Sequence, residues 1–518
     1  VTCPSERKPS APIYAAALIG LLVSVGAVGI LGYDIWWHLT TGWVITNLKM
    51  IPHYDLFSYT AFGAPWVDHQ WIYQALQWII YESFDLAGLI VLKFLILAAI
   101  CWTLFRTISY ISASRDMALW GVIVFLIGSS VRPMDRPFVV VTLFLAVYLL
   151  ILHKYVRQGT RMIWALPFLQ ALLINIHGGG ILGPIVILAF AAGENLQALA
   201  GRYLAGPSPI ERVKRHRLWL VGLASLAACL INPWGAGIFA YYTQLRNMPM
   251  MLAYTEEWFP PLHPELDWAV APLLYLLAAA AVMASHVLNS KRIRLSHLFV
   301  SAGTVLLLIR GHRFGPEMMI ANLPLLAMNL SERFPILRSP APARSWIGIT
   351  AAFAISVLAF TYGVPTTLRD RPVDRIRWSA PAHSAPTHLV DFLEYYDIRG
   401  RVLNDMGLGG YLIFRRWPRE RVFFDGRTPI YGEEFTREYL NAFVISPNFQ
   451  RLLARHEFDY IVLSTRSARP LRGFHKYLRG NPSWHLIYAM NDGFIYLRDV
   501  PKFEELIKRF GQMERTER

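Results

Sequence analysis

Charged side chains are scarce in this chain, and cysteines scarcer still. Asp, Glu, Lys and Arg together make up 16% of the 518 residues, against about 25% in soluble globular proteins. That excludes an ordinary solvated surface over most of the length. The three cysteines, Cys3, Cys101 and Cys229, show no metal-site spacing, and the last two sit in apolar runs. No disulfide framework is indicated, so cysteine does not report the redox compartment. A phosphate loop is missing too: the glycine turn NDMGLGGY (404–411) lacks the Gly-Lys-Ser/Thr ending and the dinucleotide spacing, and reads as a structural turn opening a helix. No nucleic-acid recognition motif accompanies the net charge of +15, so nucleic acid is not an expected partner.

What is abundant is apolar. Hydrophobic residues reach 54%, with 17 Trp among them, and mean hydropathy is +0.35. Residues 13–32 form an uncharged apolar run of spanning length, ~30 Å at helical rise. It is long for a signal-peptide core and lacks a small-residue cleavage site, so it reads as a retained anchor. Further expected spans are 87–105, 117–131, 137–153, 162–176, 182–199, 218–233, 269–287, 297–310, 315–330 and 346–364, about eleven in all. Basic residues cluster between them: Arg7-Lys8, Lys154/Arg157/Arg161, Arg212/Lys214/Arg215/Arg217 and Lys291/Arg292/Arg294. They fall after every second span, which puts the N-terminus in the cytoplasm and the C-terminus outside.

The expected organisation is a membrane domain over 1–365 and an extracytoplasmic α/β domain over 366–518. The long first outer loop, 33–86, is rich in tryptophan, and its stretch Trp71–Tyr81 reads as an amphipathic helix along the interface. In the tail, helical patterning covers 387–397, 433–444, 447–456 and 502–512. Strand patterning covers 401–404, 421–425, 458–464, 484–489 and 493–498.

On this topology the unusual polar residues sort to the outer face. Asp34, His38, Asp55, Asp68 and His69 lie in the first loop. Arg132, Asp135 and Arg136 form the next outer turn, and Asn175 and His177 end a span. Glu256, Glu257 and His263 occupy a later loop, and Arg310, His312 and Arg313 the last outer hairpin. Ionisable groups at membrane depth are costly without a partner or a task. Guanidinium forks match phosphate oxygens, and an acid nearby can accept a proton from an attacking hydroxyl or amine. Together they suggest a lipid-linked donor reaching an outward-facing polar cavity.

The stretches DIWWHLTTGWVI (34–45), IPHYDLFSYT (51–60), WVDHQWIYQ (66–74), INIHGGGILG (174–183), INPWG (231–235), NDMGLGGYLI and FFDGR carry a family likeness. The chain resembles the C-type (GT-C) integral-membrane glycosyltransferases, and most closely a bacterial multi-spanning group related to them. The resemblance implies a polytopic α-helical membrane protein with a small extracytoplasmic α/β domain, seated in a bacterial inner membrane. It implies transfer of a sugar, with inversion, from a polyprenyl-phosphate donor to an extracytoplasmic glycan, lipid or protein acceptor. Asp34 would hold the superfamily's first-loop acid. Ile35 follows it where a second acid is usual, and the tryptophan-tryptophan-aspartate signature is missing. Both departures point away from protein mannosylation and N-glycosylation.

The expected site is therefore Asp34, His38, Asp68 and His69 for catalysis, and Arg310, Arg313, Arg132 and Arg136 for the donor phosphate. His177, Asn175 and Glu257 would serve the acceptor or line the cavity. Each has a structural alternative. Asp34 could cap a helix, His38 could hold Asp34, Asp55 could close a turn, and the arginines could mark topology by snorkelling. Asp34 with His38 supplies two metal ligands, which leaves a divalent metal open. The rival function is a non-catalytic scaffold or accessory subunit among other membrane subunits. A lipid-linked-sugar transporter ranks third, because the spans show no two-fold repetition.

Overall fold

The structure is a computed structural model, and it describes residues 32–129, 136–200, 210–264, 266, 270–338, 385–444, 446–465 and 472–511. The expected spans 13–32 (all but Gly32) and 346–364 lie outside the described residues, as do Arg132 and Asp135. Two compact units emerge. One takes residues from 90–235 and 255–338; the other takes 32–89, 236–254 and 385–511. The first outer loop thus folds in one unit with the tail.

Up to residue 333 the α-helices are α1 (Ile35–Asn47), α2 (Trp71–Ser112), α3 (Arg115–Ser129), α4 (Phe138–Gln158), α5 (Leu166–Ile176), α6 (Leu182–Ala200), α7 (Arg212–Ala228), α8 (Ile238–Arg246), α9 (Pro249–Tyr254), α10 (Val270–Leu288), α11 (Leu295–Arg310) and α12 (Gly315–Arg333). Every expected span within the described residues coincides with one of them. Among the described residues, four segments are long and apolar enough to cross a membrane: Trp71–Ser112, Phe138–Gln158, Gly178–Ala200 and Ala271–Leu288. Arg161–Ile176 and Leu295–Arg310 are apolar but shorter. A count of eleven spans is therefore not established. Of the expected spans within the described residues, α3 has only 15 residues and α7 opens on the basic run RVKRHR.

In the first unit α12 packs on α3, α4, α10 and α11 and is buried along most of its length. Because protein surrounds it, its polar residues bond inside the bundle. Asn322 Nδ2 donates to Thr304 Oγ1 at 2.8 Å and Asn329 Nδ2 to Ser285 Oγ at 2.9 Å, while Thr142 donates to the buried Glu317. Interhelical hydrogen bonds of this kind hold helices together where apolar burial gives little drive.

In the second unit α2 begins inside-out. Gln74 and Gln77 are buried, while Leu76, Ile79 and Phe84 are exposed, the pattern of a helix whose outer face meets lipid. The helix breaks at Asp85, whose φ of 54° is non-helical, and Asp85 Oδ1 accepts from Leu86 N at 2.8 Å to start the next stretch.

The tail holds α13 (Thr387–Tyr395), α14 (Met406–Arg416), α15 (Gly432–Val444), α16 (Ser446–His456), α17 (Arg472–Gly480) and α18 (Glu504–Phe510). They surround a four-stranded sheet, β1 (Val402–Asn404), β2 (Tyr460–Leu463), β3 (Trp484–Met490) and β4 (Gly493–Arg498), in the order β1-β2-β4-β3. β1 and β2 are parallel and the other pairs antiparallel. The expected strand 421–425 is not in this sheet. It lies beside β1 but bonds through the Asn404 side chain: Oδ1 accepts from Phe423 N at 2.9 Å, and Nδ2 donates to Phe424 O at 2.7 Å. On its other side Val422 N donates to Phe57 O and Tyr59 N to Val422 O, each at 3.0 Å. One side-chain amide thus does the work of a ladder rung within the tail, while the Val422 backbone ties the first loop to the tail.

Asn404→Leu keeps the side chain's shape and leaves both backbone groups of 423–424 unpaired. It is expected to lower stability by about 1–3 kcal/mol for each group left buried and unpaired, read as a fall in the thermal midpoint of the detergent-solubilised protein.

Candidate active site

The loop motifs and the tail motifs meet in the second unit. Helix α1, which carries Trp36 and Trp37, packs on α14, which carries the glycines of NDMGLGGY. Those glycines are required by close approach. A Cβ on Gly410 would stand 2.7 Å from Tyr33 O, and one on Gly409 would collide with Phe424 O. Trp36 then sets its ring edge against Tyr411, with centroids 4.9 Å apart.

Asp34 is the residue before α1, yet its side chain makes no capping bond to the helix. Instead its Oδ1 accepts from Trp37 Nε1 at 3.2 Å. The carboxylate lies against the FDGR turn, where a Cβ on Gly426 would collide with it. One turn on, the buried His38 meets Gln74: Nε2 of Gln74 lies 3.1 Å from His38 Nδ1 and donates to Asp68 Oδ1 at 2.9 Å. A single amide group has two hydrogens, so it can serve both, which places His38 Nδ1 as the acceptor and its proton on Nε2.

Asp68 is buried, and loss of solvation pushes its carboxyl up to about 7, against the opposing pull of the Gln74 bond, a backbone bond from Gln70 and Arg427. His69 is buried beside it and held down to about 4 by the same desolvation. Its ring stands edge-on to Tyr241 at 4.4 Å.

Beneath these lies a salt-bridge network the sequence had not indicated. Arg427 Nε and Nη2 grip both oxygens of Asp425 at 2.9 and 2.6 Å, and Nη1 donates to Asp55 Oδ1 at 2.6 Å. All three residues are buried. Asp55 also closes its turn, accepting from Phe57 N and Ser58 N at 3.1 Å each. The guanidinium stacks between Phe57 and Trp66, 4.8 Å from each ring. Burial alone would lower its pKa, but Asp425 and Asp55 outweigh that and keep it charged. The motif FFDGR was visible in sequence; its partner Asp55 was not, because the two are 372 residues apart.

The first unit gathers the other group. Arg136 and Arg313 both donate to Glu257 Oε1, at 3.0 and 3.2 Å. Arg313 also lies over the Trp258 ring at 4.1 Å. Two guanidiniums thus converge on one carboxylate, and guanidinium forks also match phosphate oxygens. Arg310, the last residue of α11, is exposed and makes no ion pair with a described residue. His177 Nδ1 accepts from Gly179 N at 2.8 Å and caps the turn before α6. Asn175 Nδ2 donates to Ala171 O and Ile231 O at 2.8 and 2.6 Å, so it ties a helix end to the INPWG turn. Among the described residues no three His, Cys, Asp or Glu side chains converge as a metal site.

No family model matches this chain, and no curated protein matches it in sequence. Solved structures do match. The archaeal oligosaccharyltransferase AglB from Archaeoglobus fulgidus, in complex with an inhibitory peptide and a dolichol-phosphate, aligns with a TM-score of 0.55 and 12% identity, covering 95% of this chain and 75% of that one. The apo form of the Archaeoglobus fulgidus enzyme gives 0.53 and 12%, covering 94% and 75%. The form tethered to an acceptor peptide with the NVT sequon gives 0.52 and 14%, covering 94% and 74%. The chain therefore shares the fold of these solved oligosaccharyltransferases.

Asp68 and His69 make opposite contributions to stability against pH. Folded Asp68 keeps its proton up to about 7 while the unfolded carboxyl loses it near 3.8, so its contribution falls as pH rises through that window. Folded His69 stays neutral down to about 4 while the unfolded ring protonates below 6.5, so its contribution rises with pH across that range. In Asp68→Asn the thermal midpoint should therefore climb from low pH to about 6.5 more steeply than in the wild type, and in His69→Gln it should fall toward about 7. Parallel profiles for wild type and both variants would contradict this account.

Proposed function

We propose that this protein is a bacterial inner-membrane glycosyltransferase that moves a sugar from a polyprenyl-phosphate donor to an extracytoplasmic acceptor. The observation that carries the reading is the fold shared over 95% of the chain with an oligosaccharyltransferase whose solved complex contains a dolichol-phosphate. In this reading the N-terminus is cytoplasmic and the tail extracytoplasmic.

Asp34 is the proposed base. Its carboxylate is not committed to capping a helix, and one indole bond from Trp37 fixes its orientation. It takes the proton of the acceptor hydroxyl as that oxygen bonds to the anomeric carbon. The bond from that carbon to the phosphate oxygen breaks, and the phosphate leaves on the lipid with the electron pair. Arg313 and Arg136, with Arg310 and Arg132 in support, would neutralise the departing phosphate. His38, Asp68 and His69 would hold the loop beneath Asp34, and Glu257, His177 and Asn175 would serve the acceptor side.

One observation favours the second reading, a non-catalytic scaffold or accessory subunit. The residue after Asp34 is the apolar, buried Ile35, so the acid pair usual in the superfamily is broken.

In proteoliposomes loaded with polyprenyl-phosphate sugars, Asp34→Asn should reduce kcat by about 10²-fold or more while the thermal midpoint is unchanged. Arg313→Gln should chiefly raise KM for the donor. A well-folded Asp34→Asn protein that transfers at the wild-type rate would refute the assignment of Asp34. No transfer by the wild type with any donor, together with a stoichiometric co-purifying subunit, would favour the scaffold.

A further inference from the structure

The same helices that present Arg136 and Arg313 at one end carry a second polar feature at the other. Helix α4 starts just after Arg136, and the 20 residues from Phe138 to Arg157 span ~30 Å. Arg313 follows the C-terminus of α11, whereas His297 lies in its first turn. At the end marked by Arg157 and His297 is a cavity of about 490 Å³, lined also by His153, Arg292, Arg294 and Glu332. Its size is that of a small-molecule site, ~300–1,000 Å³.

The lining is cationic. Arg157, Lys291, Arg292 and Arg294 face it, with Glu332 the one acid. Glu194 lies behind Arg294 and accepts from its Nη1 at 2.9 and 2.8 Å. Arg157 donates to the carbonyls of Tyr110 and Ile111 at 2.8 and 2.7 Å, which fixes the guanidinium without cancelling its charge. Lys291 and Arg292 are exposed and form no ion pair with a described residue.

Basic residues at membrane-helix ends ordinarily mark topology, and solvated ones need no further account. Two buried histidines do. His297 is 6% exposed and His153 3%. Neither nitrogen of His297, nor Nε2 of His153, has a hydrogen-bond partner among the described residues. Their rings meet edge to face at 5.1 Å. Buried polar groups without partners are rare because they cost free energy, and both rings line this cavity.

We propose that this cavity binds a phosphate-bearing anion, at a site separate from sugar transfer and independent of whether transfer occurs. Lys291 and Arg292 would draw the anion in, Arg157 and Arg294 would hold its oxygens, and a neutral imidazole N–H would complete the shell. The phosphate could belong to a lipid headgroup or to a soluble ester.

The full chain in phosphatidylcholine nanodiscs is titrated with inorganic phosphate against chloride at matched ionic strength. A parallel series contains phosphatidylglycerol, and binding is read by thermal midpoint and phosphorus NMR line width. Saturable binding is expected, weakened roughly tenfold or more in the Lys291→Gln, Arg292→Gln double variant, as for loss of a charge-assisted contact. It should be unchanged in an Arg212→Gln, Arg217→Gln control. A response to inorganic phosphate alone supports a soluble phosphate as ligand, and a response confined to phosphatidylglycerol supports a headgroup. No response in either series, or equal weakening in the control, overturns the proposal.

Discussion

Arg427 is a guanidinium taken wholly out of water, and the second unit is arranged around keeping it there. A buried charge is tolerable only when paired and hydrogen-bonded, and removing one partner typically costs about 3–5 kcal/mol. Here Asp425 grips it from its own turn, and Asp55 reaches it from the first loop. Tyr431 donates to Asp425 at 2.7 Å and completes the carboxylate's shell. The geometry admits one register between the 55–58 turn and the 425–427 turn. From that register follow the pairing of Val422 with residues 57–59, the seat of Asp34 against Gly426, and the stack of Phe57 and Trp66 on the guanidinium.

Much of this was legible from apolar periodicity. Each described span coincides with a helix because a long run of Leu, Ile, Val and Phe has few alternatives. All four strands of the sheet were visible as short runs rich in Val, Leu, Ile, Phe and Tyr between turns. Segment 421–425 has the same composition and is not a strand of the sheet, because Asn404 offers side-chain bonds where a strand would offer backbone. Helix α17 went unread although Phe474 and Leu478 are buried one turn apart; its basic residues and terminal glycines hid a two-residue stripe. Pairings such as Arg427 with Asp55, or Arg136 and Arg313 with Glu257, are decided by tertiary structure and leave no trace in spacing.

The fold and the motifs carry different kinds of information. At 12–14% identity to the archaeal enzymes, what the comparison shows is a shared backbone fold, which many sequences can adopt. Site chemistry depends on single residues, which a shared fold does not fix. One fold hosts more than one function, so the chemistry has to be read from single residues rather than from the alignment.

The separation of Asp55 and Arg427 also sets an order of assembly. The chain is made from its N-terminus at about 5–20 residues per second, so the 372 residues between them represent roughly 20–70 s of synthesis. Throughout that interval the first loop is complete but lacks the guanidinium that Asp55 is built to meet. A chain interrupted before Arg427 therefore leaves Asp55 without the cation it meets in the finished fold.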